Sequence, residues 1–256
     1  MSQEILRQLQ EMAPWHFDVQ IAADIRTGDA NRGNIDGKDY KPNLIDPNEM
    51  RPLLEALYPE GLAGKSLLDC ACNAGGYCLL GHDLGAEYCF GFDVRPHWIN
   101  QAKFLRSHFR KPKDRVAFEV CDLLEFDQRH PAMRFDVCIF KGIFYHLPDP
   151  ITGIKTAADR TNEVLVLDTA ATKDDDDGYL RVVWEESENP MSGVHHLAWQ
   201  PTGPRVLQAI LNWLGFPETR VIYWLRPKQA PLSRIRMIAA RKAEFLNGFE
   251  ARFKGR

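Results

Sequence analysis

The sequence contains no apolar run near the roughly 20 residues that a transmembrane helix needs. Its first residues, Met1 to Glu11, are polar and lack the apolar centre of a secretory signal peptide. An excess of positive charge is also missing, because 32 Lys and Arg stand against 35 Asp and Glu and give a formal net charge of −3. Broad affinity for nucleic acids requires clustered cations, so this balance argues against it. These absences predict a cytoplasmic protein that works away from membranes.

The six cysteines lie at Cys70, Cys72, Cys78, Cys89, Cys121 and Cys138. The first three are close together, but no fourth ligand follows at a spacing typical of zinc or iron–sulfur sites. Four of the six lie in apolar, strand-like segments, where a cytosolic protein usually keeps buried and reduced thiols. We therefore predict free thiols and no metal site.

What the sequence does contain is a regular alternation of short apolar segments with helical segments. The predicted strands are Ser66–Ala71, Tyr88–Asp93, Val116–Val120, Phe135–Phe140 and Glu163–Leu167. Because nearly every residue in each is apolar, they predict a parallel sheet that helices cover on both faces. The 256 residues suffice for one such α/β domain and an appendage.

The segments on either side of this pattern differ from it. Loop-forming Gly, Pro, Asp and Asn dominate the N-terminal residues up to a helix predicted from Asp46 to Tyr58. After a helix predicted from Thr202 to Leu214, the strands Val221–Leu225 and Ile235–Ala240 indicate an antiparallel hairpin at a sheet edge. The predicted organisation is an N-terminal cap at 1–60, an α/β domain at 61–242 with an insertion at 168–202, and a C-terminal helix at 243–256. That helix would place Phe245, Phe249 and Phe253 on one face.

Aspartates stand at the ends of the first three predicted strands, at Asp69, Asp93 and Asp122. In open α/β sheets, ligands bind beyond the carboxyl ends of the strands, where the topology reverses. Asp93 is placed to accept both ribose hydroxyls of an adenosine, and Asp122 to accept from the adenine amino group. A single aspartate at such a position is often only a helix cap. Three in succession make an adenosine-binding site the better interpretation.

The turn that follows Asp69 contains the small or turn-tolerant residues Ala71, Asn73 and Gly75. Small residues let a ligand approach the backbone, and the N-terminus of the next helix contributes donors. Ala71 is tolerable here if its φ stays negative, whereas Asn73 also tolerates the left-handed region. A nicotinamide dinucleotide would favour Gly-x-Gly-x-x-Gly, and no such string lies near the first strand. A sulfonium with an amino-acid moiety fits Asp69 and nearby carbonyls better.

The segment Leu68–Tyr77, with the sequence Leu-Asp-Cys-Ala-Cys-Asn-Ala-Gly-Gly-Tyr, resembles motif I of the class I S-adenosylmethionine-dependent methyltransferases. Later motifs of the same family are similar to Gly91-Phe92-Asp93, Cys121-Asp122-Leu123 and Phe135-Asp136-Val137. With Trp15-His16 and Gly142–Pro150, the resemblance narrows to the family around the tRNA wobble-uridine (5-oxyacetyl-uridine type) methyltransferases, which also includes small-molecule enzymes.

This resemblance implies a Rossmann-like class I methyltransferase sheet, S-adenosyl-L-methionine as cofactor, and an insertion that lies on the acceptor side. The chain departs from the family at Ala71 and Asn73, where motif I usually has glycine, and we retain the cofactor assignment. The residues expected to contact the cofactor are Asp69, Ala71, Asn73, Gly75, Tyr77, Asp93, Val94, Cys121, Asp122, Leu123 and Lys141.

Methyl transfer from a sulfonium uses an activated donor, so the protein mainly aligns the acceptor and shields the reacting centre. A hydroxyl acceptor also needs a base. His146, which follows the fourth strand, is the candidate base, although such a histidine can also begin a helix or fill a packing site. Tyr145 is a candidate contact for donor or acceptor, or else a core aromatic. Asp168, expected to close the fifth strand, is the best single candidate for an acceptor contact.

The insertion carries further patterns. His195 and His196 are adjacent, so in a strand only one of them could point into a site. Asp174 to Asp177 form an acidic run, which indicates a solvated loop or, alternatively, a surface for a divalent metal or a cationic substrate. Aromatic residues of the cap and the insertion predict either a covered pocket or simple packing of the cap: Trp15, Phe17, Trp184 and Trp199.

Three functions remain open at this point. The first is methyl transfer to an O or N atom of a small-molecule or glycan-like acceptor, which the acidic balance and the aromatic residues favour. The alternative is modification of a tRNA wobble uridine with a carboxylated form of the donor, which the family resemblance and the basic stretch Arg226–Arg256 favour. The third is a cofactor-binding partner protein without catalysis. No oligomeric state follows from the sequence.

Overall fold

The computed structural model of the protein describes residues 2–35, 37–185, 192–230 and 232–254. The N-terminal segment contains α1 (Ser2–Glu11), β1 (Gln20–Ala22), β2 (Ile25–Arg26), β3 (Gly33–Ile35) and β4 (Lys38–Tyr40). β1 pairs with β2 and β3 with β4, both antiparallel. The sequence predicted a largely irregular cap, and these strands are too short to produce a detectable hydrophobic period. None of the helices in the described ranges is both long and apolar enough to cross a membrane.

The remaining elements alternate as the apolar segments predicted. The helices are α2 (Arg51–Leu57), α3 (Gly76–Asp83), α4 (Pro96–His108), α5 (Phe126–Arg129), α6 (Pro150–Asp159), α7 (Pro204–Trp213) and α8 (Phe249–Lys254). The strands are β5 (Ser66–Cys70), β6 (Tyr88–Asp93), β7 (Val116–Val120), β8 (Phe135–Lys141), β9 (Thr161–Ala171), β10 (Leu180–Trp184), β11 (Leu197–Pro201), β12 (Glu218–Leu225) and β13 (Ser233–Ala240). Asp46 caps the turn Pro47–Met50 that leads into α2, by accepting from the Asn48 amide.

Seven strands form the central sheet in the order β12-β13-β9-β8-β5-β6-β7. β5 to β9 are mutually parallel, which confirms the predicted parallel sheet. β5 lies between β6 and β8: the chain runs from β5 outward through β6 to β7 and then crosses to β8 on the other side of β5, so the strand order reverses there. The carboxyl ends of β5 and its neighbours therefore border the crevice in which open α/β sheets bind ligands.

Two hydrophobic clusters cover the two faces of this sheet. Leu67 belongs to one cluster and its neighbour Leu68 to the other, as the alternation of side chains along a strand requires. Trp15 and Phe17 join the first cluster, so the N-terminal segment docks onto the same core. All six cysteines are buried free thiols, and the Sγ atoms of Cys70 and Cys138 lie 3.7 Å apart.

The C-terminal strands form an antiparallel pair at one end of the sheet. β12 is the edge strand on this side, whereas β13 also pairs antiparallel with β9 and so lies inside the sheet. The reason is burial, because all of β13 except the partly exposed Arg234 is buried. This placement brings Arg234 and Arg236 to the site.

Three predicted boundaries need correction. β9 continues to Ala171, so Asp168 lies within that strand rather than closing it. The insertion forms an antiparallel pair of β10 and β11, and its residues 186–191 lie outside the described part. The single C-terminal helix is wrong: a short turn, Ala243–Leu246, is separated from α8 by Gly248, whose φ is +69°. Phe249 of α8 is buried and stacks on Phe253 at 5.3 Å, so the predicted aromatic face packs within the chain.

Candidate active site

A cavity of about 600 Å³ opens beyond the carboxyl ends of β5, β6 and β8. The N-terminal segment contributes His16 and Tyr40 to its wall, and the insertion contributes Glu185. One half of the cavity contains the three strand-end aspartates. The other half contains a cluster of charged side chains and the Tyr145-His146 pair.

The turn after β5 has an unusual backbone. Ala71, Asn73 and Gly75 have φ angles of +56°, +50° and +75°, all in the left-handed region. The expectation of a negative φ at Ala71 is therefore wrong. Left-handed backbone costs a non-glycine residue on the order of 1 kcal/mol or more, and such strain concentrates at functional sites. The Asn73 side chain eases it locally by accepting from the Ala74 amide at 2.7 Å.

Gly75 was expected to contact the cofactor, and the structure gives it a different place. It is absent from the cavity wall and precedes α3 as its N-terminal flanking residue. A Cβ at this position would lie 2.4 Å from the ring of Phe118. Glycine is thus required by the backbone conformation and by close packing against β7. Ala71 and Asn73, by contrast, do line the cavity.

Asp69 is a buried carboxyl group whose Oδ2 has no hydrogen-bond partner among the described residues. Burial raises the pKa of Asp69 well above its ordinary value, Lys141 opposes this shift, and Asp93 adds to it. An unpartnered buried acceptor is costly unless a ligand satisfies it. The ammonium group of S-adenosylmethionine is a suitable donor, so this half of the cavity fits the cofactor.

Asp93 and Asp122 each combine a structural contact with room for a ligand. Asp93 accepts from the amides of Asn73 and Arg95, both at 3.0 Å, and burial raises its pKa. Asp122 lines the cavity and caps the turn Leu123–Glu125 by accepting from the Leu124 amide at 2.9 Å, while its Oδ2 lies 3.4 Å from His195 Nε2. A carboxylate offers about four acceptor positions, so the two aspartates retain capacity for ribose and adenine groups. The other expected cofactor contacts that line the cavity are Tyr77, Val94, Cys121, Leu123 and Lys141.

Asp168 lies at the centre of the charged half and is fully buried. Its Oδ1 accepts from Arg234 Nε at 2.5 Å, and its Oδ2 accepts from Arg236 Nε and Tyr223 Oη, both at 2.7 Å. Burial would raise the pKa of Asp168, but the two arginines and Lys141 outweigh burial and lower it. The carboxylate therefore holds the guanidinium groups in place. Asp168 also lines the cavity, and its contact with the acceptor stays a prediction.

Glu49 extends the same network towards the donor half. Its Oε1 lies 3.1 Å from Arg236 Nη2, 3.3 Å from Lys141 Nζ and 2.7 Å from Tyr77 Oη. Three cations thus face two anions in the cluster, which leaves an excess of positive charge. Burial, with Lys141 acting in the same direction, lowers the pKa of His16 to about 4.

His146 lies in the short turn Phe144–His146 after β8, and its Nδ1 is 2.6 Å from Glu185 Oε1. The Gly193 amide lies 2.7 Å from Glu185 Oε2 and 3.1 Å from His146 Nδ1. The carboxylate is the stronger acceptor and takes the amide proton, so Nδ1 keeps its own proton for Glu185. Nε2 is then the ring atom that can accept a proton. The neighbouring Tyr145 ring lies under Arg234, whose Cζ is 5.8 Å from the ring centroid.

The comparisons with known proteins bear on this site. A family model described as a methyltransferase domain matches residues 62–196, which is more than half of the chain. This chain belongs to the class I S-adenosylmethionine-dependent methyltransferases. It is therefore an enzyme that uses S-adenosylmethionine, and the alternative of a non-catalytic binding protein loses its support.

Similar curated proteins are named tRNA U34 carboxymethyltransferase. The one from Campylobacter concisus (strain 13826) is 28% identical over 189 residues, covering 73% of this chain and 59% of the relative. The one from Aliarcobacter butzleri (strain RM4018) is 27% identical over 225 residues, covering 85% and 64%. The methyltransferase thus spans about three fifths of the length of these relatives.

Solved structures share the fold. The N-terminal domain of EvdMO1, crystallised in the presence of SAH and D-fucose, superposes with a TM-score of 0.70 at 22% identity, covering 94% of this chain and 97% of that domain. Magnesium protoporphyrin IX methyltransferase from Synechocystis PCC 6803, with bound SAM, gives 0.53 at 15% identity, covering 77% and 79%. At these identities the likeness shows the fold alone.

Several residues of the methyltransferase's site were missed from its sequence. Glu49, Tyr223, Glu185 and the two arginines of β13 all line the cavity. The only available signal was the spacing of Arg234 and Arg236, which places both on one face of an otherwise apolar strand. No sequence pattern near these arginines predicts the contact between Arg236 and Glu49, because that contact forms only when β13 pairs with β9 in the sheet.

The two histidines of the insertion occupy a turn rather than a strand. His195 lines the cavity, and His196, with a φ of +59°, is exposed and absent from its wall. The expectation that only one would face a site therefore agrees with the structure, although for a different reason. Strand alternation does not apply here, because β11 begins at Leu197.

The acidic run is largely engaged by arginines. Asp174 pairs with Arg181 at 3.3 Å, and Asp176 Oδ1 accepts from the Arg205 amide at the start of α7 at 3.1 Å. Across residues 2–35, 37–185, 192–230 and 232–254, no group of three or more His, Cys, Asp or Glu is arranged to hold a metal ion. These contacts make the run a set of ion-pair and capping partners.

The basic C-terminal stretch is also used internally. Arg226 Nη2 donates to the Asp174 carbonyl at 2.9 Å, Arg241 Nη1 to the Leu214 carbonyl at 2.8 Å, and Arg252 Nε to the Ala56 carbonyl at 2.6 Å. Arg234 and Arg236 point into the cluster around Asp168. These arginines therefore contribute less positive charge to the protein surface than their number in the sequence suggests.

Proposed function

We propose that this methyltransferase alkylates a hydroxyl group and that His146 is its general base. The observation that carries this proposal is the 2.6 Å contact between His146 Nδ1 and Glu185 Oε1 in the cavity wall. A hydroxyl oxygen must lose its proton as it attacks, whereas a neutral amine attacks through its lone pair. A histidine held in one tautomer by a carboxylate is suited to take that proton.

The residues around the cavity divide the remaining work. When bound, S-adenosylmethionine supplies an electrophilic carbon that its sulfonium activates. Asp69 accepts from the ammonium group, Asp93 from the ribose hydroxyls and Asp122 from the adenine amino group. Tyr145 and His146 lie where β8 leads into the acceptor half, and His146 Nε2 removes the hydroxyl proton. The walls from the N-terminal segment and the insertion restrict water.

The first candidate acceptor is a hydroxylated uridine at the wobble position of tRNA. The curated relatives support it through their shared name, which describes carboxymethyl transfer to U34. A carboxymethyl group carries a negative charge next to the reacting carbon. The positive excess of Lys141, Arg234 and Arg236 over Glu49 and Asp168 offers such a group a favourable potential.

The second candidate is a small hydroxylated ring, such as a glycan-like metabolite. The formal charge of −3 and the inward direction of the C-terminal arginines favour it, because tRNA binding relies on cations at the surface. In both candidates the reacting group is a hydroxyl and the base is the same.

One assay tests the base and separates the acceptors. The purified enzyme is incubated with labelled S-adenosylmethionine, or with its carboxylated form, and with either total tRNA or a panel of hydroxylated sugars. We expect His146→Asn to lower kcat by about 10²- to 10⁴-fold, with the chain still folded by its melting curve. His196→Asn, at an exposed position off the cavity, should retain full activity. Full turnover by His146→Asn would overturn the base, and transfer to sugars but not tRNA would overturn the first acceptor.

A further inference from the structure

Residues Ser192–His195, called the strap here, lie in the cavity wall and contact both its donor half and the base. Gly193, Val194 and His195 all line the cavity, as does Ser192. The strap touches the donor half through Ser192 and His195, and it touches the base pair through Gly193. Both sets of contacts occur within four consecutive residues.

On the donor side, the strap contacts groups that themselves hold the acids of the adenosine site. Arg95 Nη2 donates to the Ser192 carbonyl at 2.6 Å, while the Arg95 backbone amide donates to Asp93 Oδ1 at 3.0 Å. His195 Nε2 lies 3.4 Å from Asp122 Oδ2. A bound adenosine would lie against the same two aspartates, so its presence must affect how the strap is held.

On the base side, the strap meets Glu185 and His146 at a position that only glycine fits. The Gly193 amide donates to Glu185 Oε2 at 2.7 Å, which leaves Oε1 for His146. A Cβ at this position would lie 2.3 Å from the His146 carbonyl oxygen and 2.9 Å from Glu185 Oε2. The two oxygens of one carboxylate therefore join the strap to the base.

We infer that the strap couples occupancy of the adenosine site to the orientation of His146, with Arg95, Gly193 and Glu185 as positioning residues. Donor binding fixes Arg95 and Asp122, these fix Ser192 and His195, and Gly193 then holds Glu185 against the imidazole. The inference rests on the proposed base role of His146. It adds that the base is fully oriented only when the donor is in place, so the hydroxyl is activated at the moment when an alkyl group is available.

Coupling between two sites is reciprocal, so a change on the base side must alter binding on the donor side. The test uses Glu185→Gln and isothermal titration with S-adenosylhomocysteine, with no acceptor present. We expect its Kd to rise about fivefold or more, although Glu185 contacts none of the three aspartates that form the donor half. Arg181→Gln, an exposed change on β10, is the matched control and should leave the Kd unchanged. An unchanged Kd for Glu185→Gln would overturn the coupling.

A double-mutant cycle with Arg95→Ala makes the test specific. If the strap transmits the effect, Glu185→Gln should weaken binding less in the Arg95→Ala background, because one of the two contacts between the strap and the donor half is already broken. Additive effects would overturn the inference. Gly193→Ala, checked by its melting curve for a folded chain, should raise the Kd as Glu185→Gln does. None of these measurements depends on turnover, so they remain decisive even if His146→Asn shows that the base is another group.

Discussion

Replacing Asp168 with asparagine should destabilise the enzyme strongly, because it removes one charge from a buried cluster and leaves its partners. Asp168 is 0% exposed and accepts from Arg234, Arg236 and Tyr223. Asparagine keeps the shape of the side chain but cannot neutralise two guanidinium groups, and its amide NH₂ would face donors. The substitution thus tests whether the cluster is held by charge.

The expected size follows from the burial of the partners. Removing one member of a buried ion pair typically costs about 3–5 kcal/mol. Arg236 keeps a second partner, because its Nη2 lies 3.1 Å from Glu49 Oε1, and the Arg234 side chain is 33% exposed to water. These two compensations place the loss near the lower limit, at about 3 kcal/mol. For a chain of this size, that corresponds to a fall in Tm of roughly 6–12 °C.

The pH dependence has a definite sign. Burial would raise the pKa of Asp168, but the arginines and Lys141 lower it below its ordinary value of 3.8. A carboxyl group with a lowered pKa stabilises the fold above its unfolded pKa and loses this contribution as the pH falls through the folded pKa. The stability gap between wild type and Asp168→Asn should therefore be constant near neutral pH and shrink only below about pH 4.

Urea unfolding followed by tryptophan fluorescence measures this gap. The matched control is Glu250→Gln, which removes the carboxylate of the exposed Arg220–Glu250 pair, whose side chains are 41% and 48% exposed. That change should cost less than about 1 kcal/mol. If Asp168→Asn lost no more stability than Glu250→Gln near neutral pH, the reasoning about the buried cluster would be refuted.

Two further predictions concern Asp69 and the turn that follows it. Burial raises the pKa of Asp69 well above its ordinary value, and a bound ammonium favours its ionised form. Donor binding should thus release protons, seen as buffer-dependent heats when calorimetry is repeated at several pH values above the ordinary aspartate pKa, and Asp69→Asn should abolish the release. A wild type without buffer dependence over that range would contradict the assigned partner of Asp69. Gly75→Ala should lower the free energy of unfolding by about 1–3 kcal/mol. The reason is that the φ of Gly75 is +75° and that a Cβ at this position would lie 2.4 Å from the Phe118 ring. An unchanged free energy of unfolding in urea would contradict this prediction and show that the turn accommodates the added methyl group.

The parts of the fold that could be predicted from the sequence are those set by local pattern. Five apolar segments gave the parallel strands within a few residues, because a strand buried on both faces leaves a continuous apolar run. The positions of Asp69, Asp93 and Asp122 followed from the strand ends. All three line one cavity, since parallel strands end at the same edge of the sheet.

The parts that could not be predicted depend on long-range pairing or on backbone conformation. Whether β13 lies at the edge or beside β9 is decided by which sheet face it can bury, and that choice brings Arg236 to Glu49. Alanine disfavours the left-handed region, so the positive φ of Ala71 could not be predicted from its residue type. The surrounding turn imposes it. Gly75 was predicted to contact the cofactor because a glycine in a turn indicates close approach of another group. The sequence does not say whether that group is a ligand or the Phe118 ring.

The distribution of charge in the cavity follows the direction in which the proposed reaction moves charge. His146 becomes a cation when it takes the hydroxyl proton, and the carboxylate of Glu185, 2.6 Å from its Nδ1, stabilises that cation. In the same step the donor sulfonium becomes a neutral thioether. Nearby cations therefore raise the free energy of the bound donor more than that of its product. Lys141, Arg234 and Arg236 supply such cations in the half of the cavity that also holds the Tyr145-His146 pair. Glu185 therefore stabilises the positive charge that forms on His146, and the three cations favour the loss of positive charge from the donor, whichever hydroxyl compound is the acceptor.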